Sequence, residues 1–116
     1  MSQHAALAAF ECRDELDGHV RRYRANRDLL MAGLPATGLD RLTPAQGAFY
    51  IYADVAHLTN DSREFCSRML RETGVATTPG VDFDRARGAG TLRISFAGSN
   101  AEMDEAVRRL NAWRQA

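Results

Sequence analysis

Arg93 is the residue best placed to do chemistry in this 116-residue chain. It lies in Thr91-Leu92-Arg93-Ile94-Ser95-Phe96-Ala97, where Leu92, Ile94 and Phe96 alternate with polar neighbours, the period of a half-buried β-strand. Such a strand sends three apolar side chains into a core and one guanidinium to the opposite face. A guanidinium on a rigid strand presents a planar fork that meets a carboxylate through two parallel hydrogen bonds. Most arginines in that position are instead solvated or paired with a nearby acid, and Asp82 or Asp84 would be the partner here. The remaining chemistry-bearing residues form no constellation. All 15 residues counted as lysine or arginine are arginine, so no side chain can form a Schiff base. His4, His19 and His57 are scattered and support no catalytic pair. Cys12 and Cys66 have neither disulfide-framework nor zinc-site spacing, and Cys66, on the apolar side of a helix, reads as a buried free thiol.

The elements that must hold Arg93 follow from length and pattern. A chain of this size is one domain and buries roughly two thirds of its unfolded surface. Hydrophobic residues at 45% and charged residues at 26% describe an ordinary globular composition. A formal net charge of zero supplies no global field for nucleic acid, membrane or acidic substrates. No segment approaches the roughly 18 apolar residues of a membrane span, and no secretory signal opens the chain, so the expected setting is cytoplasmic.

Ser2 to Phe10 reads as a short apolar helix, and the charged stretch Glu11 to Asp17 interrupts it. A long amphipathic helix follows, with Leu16, Val20, Tyr23, Leu30 and Leu34 as its buried stripe and Gly33 and Pro35 at its end. Its other face, including Arg21, Arg22, Arg24, Asn26, Arg27 and Asp28, is expected to be solvated; no aromatics interleave with the charges, so a nucleic-acid footprint is not indicated. Ala48 to Ala53 is a buried strand, in which Tyr50 and Tyr52 read as core or surface aromatics. Asp61 with Glu64 caps a helix through Leu70, which Gly74 ends. Val75 to Thr78 is a short strand, Val81 to Gly90 a loop, and Thr91 to Ala97 the arginine strand. Ser99 with Glu102 caps the last helix, whose stripe is Met103, Ala106, Val107, Leu110 and Trp113. The expected fold class is α+β: a two-layer domain in which a small, mostly antiparallel sheet is packed by a long N-terminal helix, a middle helix and a C-terminal helix.

The order of four pieces carries a resemblance. Pro44-Ala45-Gln46-Gly47-Ala48-Phe49-Tyr50, then Phe65 to Leu70, then Gly74-Val75-Ala76-Thr77-Thr78-Pro79-Gly80, then Leu92-Arg93-Ile94-Ser95-Phe96-Ala97 resembles the C-terminal small domain of class I/II, fold-type I aminotransferases, enzymes dependent on pyridoxal 5'-phosphate. The resemblance implies that Arg93 clamps the substrate α-carboxylate and that Gly47 keeps a side chain away from the substrate; an ordinary turn glycine is the other reading of Gly47. It implies that Pro79-Gly80 shapes the entrance and that Phe83 lines it. It further implies that residues 1–13 belong to the large domain of a longer parent and residues 14–116 to the small domain. The family's Schiff-base lysine and other cofactor-binding residues would lie in that large domain, so no catalytic, cofactor-binding or metal residue is expected here. The implied partners are amino-acid and 2-oxo-acid substrates, the large domain and a second subunit of a homodimer, with no nucleic acid or membrane. The alternative is a stand-alone ligand-binding or protein-interaction module with the same fold. Ser2 to Phe10 separates the two: an autonomous module buries it in its own core, whereas the aminotransferase reading leaves it an orphan.

Overall fold

The computed structural model describes residues 1–115. Its elements in chain order are α1 (Ser2–Ala9), α2 (Arg13–Gly33), β1 (Arg41–Leu42), β2 (Tyr50–Asp54), α3 (Ser62–Thr73), β3 (Thr78–Pro79), β4 (Thr91–Ser95) and α4 (Asn100–Gln115). Single 3-10 turns occupy Leu34–Thr37, Gly80–Asp82 and Gly88–Gly90. The four strands form one antiparallel sheet in the order β1-β2-β4-β3. This is the expected α+β architecture, with β4 in the interior of the sheet.

Side-chain alternation divides the sheet sharply. On one face Ile51 stands opposite Ile94 and Ala53 opposite Leu92. These four are buried with Leu30 and Leu34 from the α2 end, Phe65, Cys66 and Met69 from α3, and Leu110 from α4. The other face carries Tyr52, Arg93 and Thr78 in one row across three strands. Burying one face while leaving the other half-covered is what antiparallel sheets permit and parallel ones do not.

The helix ends follow their local chemistry. The Asp61 carboxylate accepts from the Arg63 and Glu64 backbone N–H groups at 3.1 Å each, and Gly74 ends α3 at φ 73°. Before α4 the capping is reciprocal: Glu102 N donates to Ser99 Oγ while Glu102 Oε2 accepts from the Ser99 N–H at 2.7 Å. Those bonds to Ser99 hold the Glu102 carboxyl below its ordinary pKa.

Three expectations need correction. The α2 stripe is buried only in its second half: Leu16 and Val20 are 51% and 56% exposed, while Leu30 is 1% exposed. α2 is buried only at Asn26 and Leu30, where it packs on α4, so its first turns project past the core. Asn26, expected on the solvated face, is wholly buried. Its side-chain amide donates to the carbonyls of Phe96 and Gly98 at 2.9 and 2.8 Å, and its Oδ1 accepts from Asn100. It therefore ties α2 to the turn between β4 and α4, a polar junction whose partners lie about 70 positions away and leave no local signature. The strand expected at Val75 to Thr78 pairs only at Thr78–Pro79, and β1 was not foreseen, because a two-residue ladder has no period to read.

α1 has no buried residue; Leu7 and Phe10 are 72% and 82% exposed. The Cα radius of gyration, 16.0 Å, exceeds the roughly 13 Å of a compact domain of this length, as a projecting α1 and first half of α2 require. Both cysteines are free, and burial pushes the Cys66 thiol pKa up while Thr77 Oγ1 donates to its sulfur. Leu110, 3% exposed on α4, lies between two clefts of about 260 and 320 Å³ that it helps to line. Leu110→Ala should destabilise the domain by about 2–5 kcal/mol in chemical denaturation, the ordinary range for a buried leucine. A loss under about 0.5 kcal/mol would show that α4 does not dock through this stripe.

Candidate functional site

The site is built outward from β4. Because Leu92 and Ile94 are locked into the core face, Arg93 has no choice but the outer face. Its guanidinium carbon lies 4.0 Å from the Phe83 ring centroid and 4.6 Å from that of Tyr50, over both rings. Cation–π contact of this kind fixes where an otherwise floppy guanidinium sits. The two rings come from different directions. Tyr50 opens β2, opposite Ser95, and Phe83 follows the 3-10 turn at Gly80–Asp82.

The acids near Arg93 are engaged elsewhere. Asp82 accepts from Arg63 at 3.1 Å. Asp84 accepts from the Arg87 side chain and from the backbone N–H groups of Ala86 and Arg87, and the bonds to Arg87 hold its carboxyl below the usual carboxylate range. Asp54, on the same sheet face, accepts from Ala56 N at 2.9 Å. Among the described residues no carboxylate accepts a hydrogen bond from Arg93 or pairs with it. The alternative in which Asp82 or Asp84 neutralises Arg93 is not realised: both acids pair with other arginines.

Phe83 is held by a tightly closed loop. The Gly80 carbonyl accepts from both Phe83 N and Asp84 N at 2.9 Å, and Gly88 N donates to Asp84 O at 2.7 Å. Gly80 and Gly88 touch backbone to backbone, leaving no room for a Cβ on either. Val55 N donates to Gly90 O at 2.7 Å, which anchors the far end of the loop to β2's exit.

Gly47 sits apart from this cluster. It lines a small groove of about 130 Å³ between α2 and the 45–48 segment, with Tyr23 and Phe96 in its wall. A Cβ added to Gly47 would meet nothing within 4 Å, and its φ is not positive; the left-handed residue is its neighbour Ala48, at φ 55°. Neither turn geometry nor packing within this chain requires a glycine there. The turn at Ala48 also explains why β2 begins at Tyr50 and not earlier. Tyr50 itself was missed as a site residue. The signal was its place on the same alternating face as Tyr52, but the pairing of β2 with β4 had to be known first.

Fold and candidate site together define an α+β domain in which one sheet face packs and the other carries the Arg93 guanidinium against two aromatic rings, with no carboxylate partner among the described residues. The chain belongs to the aminotransferase class I and II family, whose profile matches residues 1–110. It is 52% identical over 115 residues to valine–pyruvate aminotransferase of Mycobacterium tuberculosis, covering 97% of this chain and 30% of that protein. It is 37% identical over 109 residues to LL-diaminopimelate aminotransferase of Nitratidesulfovibrio vulgaris, covering 93% of this chain and 27% of that one. A Silicibacter pomeroyi crystal structure, 52% identical, superposes with a TM-score of 0.95 over 98% of this chain and 31% of the other. The chain thus spans about 30% of the length of these relatives.

Proposed function

We propose that this chain is the substrate-clamping small domain of a pyridoxal 5'-phosphate-dependent aminotransferase, which moves an amino group between an amino acid and a 2-oxo acid. The observation that supports it is Arg93: a strand-borne guanidinium, half-buried between Phe83 and Tyr50, with no carboxylate partner among the described residues. Amino acids and 2-oxo acids share one carboxylate next to the reacting carbon. A bidentate arginine fixes that group, so the reacting bond is oriented before chemistry begins. Gly47 is assigned to the substrate side, where the space that a Cβ would occupy is kept open, and Phe83 to the entrance.

The chemistry the cofactor supplies, an electron sink for the bond-breaking step, requires an imine-forming amine. No lysine occurs in this chain, so its residues do not fit that role and no step is assigned to them beyond holding and orienting the carboxylate. Residues 1–13 are assigned to the large domain, which accords with the full exposure of α1 and does not favour an autonomous module. A cytoplasmic setting, suggested by two free cysteines, and a homodimeric parent complete the reading. No described helix is long and apolar enough to cross a membrane.

Because a relative is named for valine and pyruvate, those two are the first pair to assay. The full-length enzyme should convert them to 3-methyl-2-oxobutanoate and alanine, or carry out the same exchange between another amino acid and another 2-oxo acid. The isolated 116-residue chain should form none and show no internal-aldimine absorbance. A borohydride-reducible pyridoxyl adduct on a side chain of this chain would sink the division of labour; one on the N-terminal amine would not.

A further inference from the structure

The clamp is not Arg93 alone. We infer that Phe83 and Tyr50 are positioning residues that set which anion shape Arg93 takes, favouring a planar carboxylate over a tetrahedral anion. This rests on the reading of Arg93 as a carboxylate clamp and goes beyond it by naming what makes the clamp selective.

The geometry points this way for three reasons. First, the guanidinium carbon lies over two rings at 4.0 and 4.6 Å, so the space above the cation is taken by carbon. What stays available is the rim of N–H groups, and a carboxylate meets a rim edge-on with two in-plane bonds. A phosphonate can set two oxygens in that plane as well, but its third oxygen then projects out of it toward the faces the rings cover, where it exchanges water for carbon. Second, the two rings are anchored independently. Tyr50 is fixed by the β2–β4 ladder, and Phe83 by the two hydrogen bonds to the Gly80 carbonyl. Third, Phe83 is 53% exposed, so its ring contributes little to the core and its placement over Arg93 has no packing rationale elsewhere.

The test uses the full-length enzyme carrying this sequence and titration calorimetry with two probes, pyruvate and acetylphosphonate, which share a skeleton but differ in anion shape. Wild type should bind pyruvate more tightly. In Phe83→Leu, pyruvate affinity should fall on the order of tenfold and acetylphosphonate affinity by less than about threefold, as expected for loss of one partly desolvated cation–π contact. Tyr50→Leu should shift the preference in the same direction, and Phe83→Tyr, which restores the ring, should restore it to within about twofold. Melting temperatures report folding, and Phe83→Tyr keeps the question open to test if Phe83→Leu is poorly folded. Equal losses for the two probes, or an unchanged preference in both Leu variants, overturn the inference while leaving the clamp intact. If Arg93→Lys binds pyruvate as wild type does, the clamp reading itself has failed, and the inference falls with it.

Discussion

Arg93→Lys in the full-length enzyme should lower catalytic efficiency toward amino acids by roughly 30- to 1,000-fold while cofactor binding survives. Lysine keeps the charge but replaces a planar, five-donor fork with a point charge on a longer-ranging tip. The lost oriented, charge-assisted pair is worth on the order of 2–4 kcal/mol in the transition state, which sets the range. In the proposed clamp the loss should appear in kcat/KM for both the amino acid and the 2-oxo acid. The melting temperature should move little: Arg93 faces outward, and the core beneath it is made by Leu92 and Ile94. The opposite pattern is decisive. A substantial fall in melting temperature, with efficiency within about twofold of wild type, would make Arg93 scaffolding.

Gly88→Ala should be the most damaging single methyl addition in the chain. The new Cβ would collide with the Gly80 carbonyl group and the Val81 nitrogen, backbone atoms that no rotamer change can move aside. Relief requires pulling the 80–90 loop apart, at a cost of about 3 kcal/mol or more. That loop carries Phe83, so site and stability should fail together. Gly47→Ala is the matched control. With nothing within 4 Å of its Cβ and no positive φ, it should change stability by less than about 0.5 kcal/mol, yet weaken substrate binding in the full-length enzyme if Gly47 faces the substrate. Urea midpoints of the two variants, measured side by side, give the comparison. A Gly88→Ala midpoint indistinguishable from wild type would show that the loop is not closed as described.

What could be read from the residues was whatever is local. The arginine strand declares itself by alternation, and both capping residues, Asp61 and Ser99, precede their helices by the expected spacing. What could not be read depends on partners far away. Nothing near Asn26 announces that it will be buried by carbonyls some 70 residues later. The stripe on α2 names an apolar face but not where the core against it stops, so Leu16 and Val20, expected inside, lie outside. For the candidate site, the sequence names Arg93 and Phe83 as candidates but not that they stack. Tyr50 becomes visible only when Ser95 is known to stand opposite it.

The sheet order has a consequence for how firmly the guanidinium is held over time. β4 is flanked by hydrogen-bonded neighbours on both sides, β2 and β3, whereas β1 and β3 are edges. Amide protons on an interior strand exchange only through large, cooperative openings, while edges and termini fray alone. The peptide units around Arg93 are therefore expected to exchange among the slowest in the molecule, which amide hydrogen exchange would measure. The proposed carboxylate clamp is thus mounted on the strand expected to be the last to let go.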